Sequence, residues 1–296
     1  VTTSTTEWQM NDRVLWKACQ RPGSPEEFGH ELCRSSSEEK WGFAMSPSSP
    51  RDTSNMRSLD RAITVVEALE EAGRPLKLVE ISRVTGLHNA TVQRILNALE
   101  SRGRVERDGR EYRSGASAVY GAHAYLTTSP LVERAKPVLR ELAQRTSLTA
   151  SLFVRAGWSR VVVARVPGAK PMAYELPMGS RLSLHRGAGK IFAAEFSTEQ
   201  LTQYIEQVAP EEMGGESDSW GAQLRAQLNE IRAQGYHIAR GERIVGAMSI
   251  SAPVRDRSAA VRASITVGAE SRDVAEAAEQ ELLAEVKHAA EAVRLS

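Results

Sequence analysis

The apolar positions of this chain change rhythm along its length. From residue 57 they recur at helical spacing: Leu59, Ile63, Val66 and Leu69 make a stripe that Gly73 and Pro75 stop. A second, short helix is predicted around Val79, Ile81 and Val84, with Gly86 after it. A third runs from about Asn89 to Arg102, with Val92, Ile95, Leu96 and Leu99 turned inward. The runs Arg104–Arg107 and Arg110–Arg113 then flank Asp108-Gly109, a pair that predicts a hairpin with both turn residues at positive φ. Three helices and a hairpin are the parts of a winged helix.

The stretch from Ala116 to about Thr127 reads as a helix with little charge and many small or aromatic residues, Tyr120 and Tyr125 among them. Such a helix is expected to pack on a partner chain or a neighbouring domain. Beyond Pro130 both periods alternate irregularly. Helices are predicted over Leu131–Arg145, Ile191–Phe196, Glu199–Val208, Gln223–Gln234 and Val274–Val293. Strands are predicted over Ser151–Arg155, Arg160–Val166, Met172–Leu176, from Gly235 through Ile238, over Ala247–Val254 and over Val261–Val267. This mixture implies an α+β chain whose second half is an antiparallel sheet with flanking helices. No internal repeat is present.

The first 55 residues differ. They hold Trp8, Trp16 and Trp41, both cysteines (Cys19 and Cys33) and the run Ser46-Pro47-Ser48-Ser49-Pro50, and no period persists in them. Such composition cannot bury enough apolar surface to offset its ordering entropy. The segment is expected to be a disordered arm or a mis-annotated extension, with translation starting at Met45 or Met56; the intact mass of the native protein tests this. The expected divisions are therefore 1–55 for the extension, 56–114 for a winged helix-turn-helix, 115–129 for a linking or dimerisation helix, and 130–296 for an effector-binding domain.

Composition narrows the class. With 296 residues, 41% hydrophobic and 25% charged, two cores are affordable. The net charge of +1 means that any DNA-binding surface must be a local patch. No apolar run approaches the roughly 18 residues needed to cross a membrane, and no secretory signal is evident. Neither cysteine has a metal-site neighbour. A cytoplasmic protein without disulfides, membrane contact, metal or cofactor is expected.

A helix-turn-helix needs a small residue where its helices touch, a residue that permits the tight turn, and a β-branched residue pinning the recognition helix. Ser82, Gly86 and Val92 fit these needs. The recognition helix then presents His88, Asn89, Thr91, Gln93, Arg94 and Asn97. Asn and Gln can pair with adenine, and Arg with guanine, in the major groove. Arg104, Arg107, Arg110 and Arg113 on the wing suit phosphates or a minor groove, although Glu100, Glu106 and Asp108 are interleaved with them.

In these residues the chain resembles the IclR family of bacterial regulators. The resemblance lies in Leu59-Asp60-Arg61-Ala62, in Glu80-Ile81-Ser82-Arg83-Val84-Thr85-Gly86-Leu87 and in Ala90-Thr91-Val92-Gln93-Arg94-Ile95-Leu96. It continues in Pro177 to His185, Ala188-Gly189-Lys190, Gly235-Tyr236, Glu242, Gly246 and Ser249 to Val254. It implies a C-terminal domain of GAF/profilin-like fold, homodimers or homotetramers, operator DNA as partner and a small-molecule effector of the organic or aromatic acid class. Carried over position by position, the family's effector contacts fall on Tyr174, Ala188, Ala239, Ser249, Thr266 and Gly268. The stretch from His185 to Lys190 is one residue shorter than the family form, and Ala239 stands where some members have an acidic residue.

Catalytic readings fit less well. Gly187-Ala188-Gly189-Lys190 lacks the spacing and the following Ser or Thr of a phosphate loop. Ser183 and His185 lack a nucleophile elbow and an orienting acid. Ser249 and Ser251 share a strand face. A binding reading needs less: backbone N–H groups of Gly187, Ala188 and Gly189, at a helix start, are expected to take a carboxylate without any charged partner. Glu242 is expected to be structural. The function expected is that of a DNA-binding repressor of a catabolic operon, released by a small acid. The alternatives are an enzyme or sensor acting through the C-terminal pocket, and a ligand-independent DNA-binding protein.

Overall fold

The computed structural model describes residues 53–170, 176–213 and 217–294. The extension through residue 52, the strand expected over Met172–Leu176 (save Leu176 itself) and the expected contact Tyr174 lie outside the described residues.

The first part is built from α1 (Thr53–Ala72), β1 (Leu76–Lys77), α2 (Leu78–Thr85), α3 (Asn89–Glu100), β2 (Val105–Asp108) and β3 (Glu111–Ser114). The hairpin β2–β3 takes β1 as a third antiparallel strand, with Leu76 opposite Tyr112. Val65, Leu69, Ile81, Val92, Leu96, Val105 and Tyr112 form one core. The inward face of α1 is therefore set by Val65, Ala68 and Leu69, whereas Leu59 and Ile63 stay exposed. On α2 only Ile81 is buried, and Val79 and Val84 face outward. An eight-residue helix has room for one buried ridge, so the stripe expected from spacing alone was too wide.

The hairpin turn sits one residue later than expected. Asp108 pairs with Glu111, so Gly109 and Arg110 are the central residues, and only Gly109 has positive φ (59°). Glycine at the first central position suits the right-handed twist of the flanking strands.

After α4 (Ala118–Thr128), which buries none of its side chains, come α5 (Pro130–Thr146), β4 (Thr149–Ala156), β5 (Ser159–Val166) and β6 (Arg181–Ser183). Ser129 caps α5 by accepting a hydrogen bond from the Val132 N–H, and Pro130 occupies its first turn, where no N–H partner is lost. Then follow α6 (Gly189–Ala193), α7 (Thr198–Met213), α8 (Ser217–Gln234), β7 (His237–Arg240), β8 (Ala247–Arg255), β9 (Val261–Glu270) and α9 (Glu279–Ala292). The strands form one antiparallel sheet in the order β6-β5-β4-β9-β8-β7.

Alternation along the strands assigns the two faces. Ala150 and Leu152 on β4, Ile250 and Ala252 on β8, and Ile265 and Val267 on β9 pack with α5 and α9. On β4 and β5, Phe153 and Val162 belong to a second core with α6, α7 and α8. A cavity opens on this second face.

Candidate functional site

The helix-turn-helix closes as its sequence requires. Gly86 adopts φ 68°, and Ser82 Oγ donates to the Leu87 carbonyl at 2.5 Å, so the small residue also ties the turn. Val92 is fully buried beneath it. Glu80 accepts from the Lys77 N–H at 2.9 Å and pairs with Arg74, which satisfies an open donor at the start of α2.

The recognition residues divide by what they already hold. His88 caps α3, with Nδ1 accepting from the Ala90 N–H at 3.4 Å. Asn89 and Arg94 are exposed, and Thr91 is half-buried. Gln93 is half-buried and engaged: its Nε2 donates to Asn97 Oδ1 at 2.7 Å and lies 3.2 Å from the Tyr112 hydroxyl on the wing. It ties the recognition helix to the wing rather than standing free beside Arg94. On the wing, Arg113 pairs with Glu106 at 3.0 Å, while Arg110 is exposed at the turn. Arg107 donates to the Gly109 carbonyl and lies over the Tyr112 ring.

In the second part, strand register assembles a cavity. Ala239, Ser249, Gly268 and Thr149 lie directly opposite one another across β7, β8, β9 and β4. Two residues along, His237, Ser251, Thr266, Ser151 and Arg165 form the neighbouring row across five strands. Opposed residues, and residues two apart on one strand, share a face. Six of the expected contacts, Gly187, Ala188, Ala239, Ser249, Thr266 and Gly268, thus line one cavity of about 110 Å³, although they come from four segments.

Arg160, Arg165 and Phe153 also line it, and neither arginine was among the expected contacts. Strict alternation would place residues 160 and 165 on opposite faces. A bulge prevents this: Leu152 pairs with Ala164 but Phe153 pairs with Val162, so Val163 is the extra residue. The bulge turns Arg160 back to the face of Arg165, a use of bulges common beside functional sites.

Arg160 is 4% exposed. Its Nη1 donates to the carbonyls of Ser183 (2.5 Å) and Arg186, and its guanidinium lies 5.2 Å over the Phe153 ring. Its Nε is buried with no hydrogen-bond partner, and no carboxylate among the described residues forms an ion pair with it. Burial, and after it the like charge of Arg243, lowers its pKa to about 10, which leaves it a cation at neutral pH. Arg165 is anchored by Ser151 Oγ at 3.1 Å and by the Leu176 carbonyl.

Two of the three backbone N–H groups expected to take a carboxylate, those of Gly187 and Gly189, already have partners. The Gly187 N–H donates to Glu242 Oε2 at 2.7 Å, the Gly189 N–H to the Arg186 carbonyl, and the Lys190 N–H to the Gly187 carbonyl. The helix that follows has only five residues. These donors are engaged, and three arginines, Arg160, Arg165 and Arg243, line the cavity. Lys190 is buried and paired with Glu242, and the exposed Arg181 is bound to Ser159, so neither leads into the cavity.

Glu242 locks the loop to the β7–β8 turn by accepting from the Gly187 N–H, Lys190 Nζ and His237 Nε2. Burial pushes its carboxyl upward, but those three donors outweigh it and hold the pKa at about 2. From the opposite side the Tyr204 hydroxyl accepts from the Leu184 N–H at 3.0 Å and bonds His185 Nδ1 at 2.9 Å. Among the described residues no group of His, Cys, Asp and Glu side chains is placed to hold a metal, and no helix is long and apolar enough to cross a membrane.

Comparison with known proteins agrees with both halves. Residues 58–109 match the IclR helix-turn-helix domain, and residues 123–295 match the C-terminal domain of bacterial transcriptional regulator IclR. The chain is 30% identical to the HTH-type transcriptional regulator BhcR of Paracoccus denitrificans, over 73% of this chain and 78% of that protein. It is 25% identical to the transcriptional repressor IclR of Escherichia coli, over 73% of this chain and 80% of the repressor. A solved IclR homologue from Microbacterium hydrocarbonoxydans in complex with 4-hydroxybenzoate shares the fold, with a TM-score of 0.58 and 19% identity over 80% of this chain and 97% of that one. A turn-closing Ser82, a buried Val92, a winged hairpin and the two successive family matches lead to one conclusion: the chain belongs to the IclR family of DNA-binding transcriptional regulators.

Proposed function

We propose that this regulator is a repressor of a catabolic operon, acting in the cytoplasm and released from its operator by a small organic or aromatic acid. The observation that carries the reading is the convergence of Ala188, Ala239, Ser249, Thr266 and Gly268 on a cavity that also holds a buried cation, in a chain that has a winged helix. A cavity of about 110 Å³ suits a small molecule. The Microbacterium homologue that shares the fold was solved in complex with a small aromatic acid, 4-hydroxybenzoate.

In this reading residues 56–114 contact DNA, 115–129 link, and 130–296 bind effector. His88, Asn89, Thr91, Arg94 and Asn97 face the major groove and Arg110 and Arg113 the flanking backbone, with Gln93 bracing the helix. A second copy of the chain covers the exposed apolar residues Leu59 and Ile63 on α1 and Val119, Tyr120 and Tyr125 on α4. A symmetric pair doubles the few base contacts of one winged helix. The cavity is a receptor rather than a catalytic centre: Ser251 Oγ bonds Thr266 Oγ1 at 3.0 Å, and His237 is committed to Glu242.

The test is binding of full-length protein to its own upstream DNA at stated salt, with and without a panel of small acids. The expected result is specific binding that weakens with one acid. Specific binding indifferent to the whole panel would overturn the effector reading and favour a ligand-independent DNA-binding protein. Turnover of an acid by the protein would favour an enzyme.

A further inference from the structure

We propose that Arg160 is the anchor of the effector cavity, and that it takes a carboxylate through the guanidinium N–H groups that the Ser183 and Arg186 carbonyls do not engage. The inference rests on the reading of this cavity as the effector site and adds the group that recognises the ligand's charge.

Three observations lead to it. The side chain is 4% exposed, its Nε lacks a partner, and no described carboxylate pairs with it. Glu242 acts on it only at a distance, and a buried cation with no directly paired carboxylate is costly to hold unless a ligand supplies one. The second is orientation. Nη1 is committed to the Ser183 and Arg186 carbonyls, which fixes the guanidinium plane in a residue that lines the cavity, and Nη2 lies beside Gly187 of the lining loop. A guanidinium so held offers N–H donors suited to a carboxylate. The third is the bulge at Val163, which places Arg160 on this face at all.

The surroundings suit a small carboxylate. A Cβ at Gly187 would lie 3.5 Å from Arg160 Nη2 and 3.8 Å from Ser249 Oγ, so a glycine keeps the loop backbone close to the guanidinium. Phe153 stacks on one guanidinium face, and Ala188 and Ala239 add apolar wall.

The test compares the wild type with Arg160→Met and Arg160→Lys in the full chain, using acetate and benzoate against acetamide and benzamide at constant ionic strength. Thermal stabilisation and calorimetric binding are the readouts. The expected result is that wild type binds the carboxylates about tenfold or more tighter than the amides. In Arg160→Met that preference falls to about one, while the ligand-free melting temperature is kept or raised. Arg160→Lys keeps charge without the guanidinium, and is expected to lose most of the preference. Should Arg160→Met not fold, Arg160→Lys decides alone. The proposal is overturned if Arg160→Met still prefers carboxylates, if Arg160→Lys matches wild type, or if wild type distinguishes neither acid from its amide. Operator binding measured in parallel separates the two readings. Acid-sensitive DNA binding that persists in Arg160→Met removes the anchor and leaves the regulator; lost carboxylate binding with acid-indifferent DNA binding does the reverse.

Discussion

Lys190 Nζ donates to Glu242 Oε1 at 2.6 Å, joining the first helix behind the cavity to the turn between β7 and β8. The lysine is 4% exposed, so the pair is a buried tie rather than a surface ornament. Removing the acid strands the ammonium. Glu242→Ala is expected to destabilise the protein by about 3 kcal/mol, and the Glu242→Ala/Lys190→Met double variant by less than the sum of the singles. Chemical denaturation of the four proteins checks the coupling.

The same carboxyl sets a pH dependence. Its pKa in the folded chain, about 2, lies below its ordinary value of 4.5 because His237, Lys190 and the Gly187 N–H all donate to it against the opposing effect of burial. A depressed carboxyl contributes stability that is complete above the unfolded value and is lost as pH falls through the folded one. The stability gap between wild type and Glu242→Gln is therefore expected at neutral pH and should narrow between about pH 4.5 and 2. Paired acid titrations of unfolding measure it, and a gap that widened toward acid would contradict the assignment.

Arg94 and Gln93 are expected to separate. Arg94 is exposed on α3, and Arg94→Ala should weaken specific binding by about 1–3 kcal/mol and relax the operator preference at one base. Tyr112→Phe removes the hydroxyl that meets Gln93, so it should weaken binding without changing which base is preferred. Binding to a set of single-base operator variants distinguishes a reader from a brace.

Gly189 has an ordinary φ but no room. A Cβ there would collide with the Arg160 guanidinium and lie 2.5 Å from the Ser183 carbonyl oxygen and 2.6 Å from Leu184 Cα. Gly189→Ala should cost at least about 1–3 kcal/mol through displaced backbone and should loosen Arg160, reducing carboxylate binding as well as stability. Unfolding and benzoate titration of the variant test both effects.

Ser264 is fully buried on β9 and its Oγ has no hydrogen-bond partner. Ser264→Ala removes an unsatisfied hydroxyl and should be neutral to stabilising, by up to about 1 kcal/mol. A clear loss of stability would mean that the hydroxyl has a role in the assembled protein.

The sequence by itself determined the local pieces and their order. Ser82, Gly86 and Val92 dictate a helix-turn-helix because each answers a short-range steric need, and the family resemblance pointed to residues that line one cavity. Strand alternation told correctly that Ser249 and Ser251 share a face. Only tertiary structure decided which cations line the cavity. Arg160 and Arg165 are five residues apart, a spacing that alternation assigns to opposite faces, and the bulge that reunites them exists because β4 and β5 must pair on both sides of Val163. The role of the Gly187 amide was likewise beyond local reading. Its partner Glu242 lies 55 residues away in sequence, and no short-range pattern records such a contact. Periodicity fixes what a residue can face; register and long-range packing decide what it meets there.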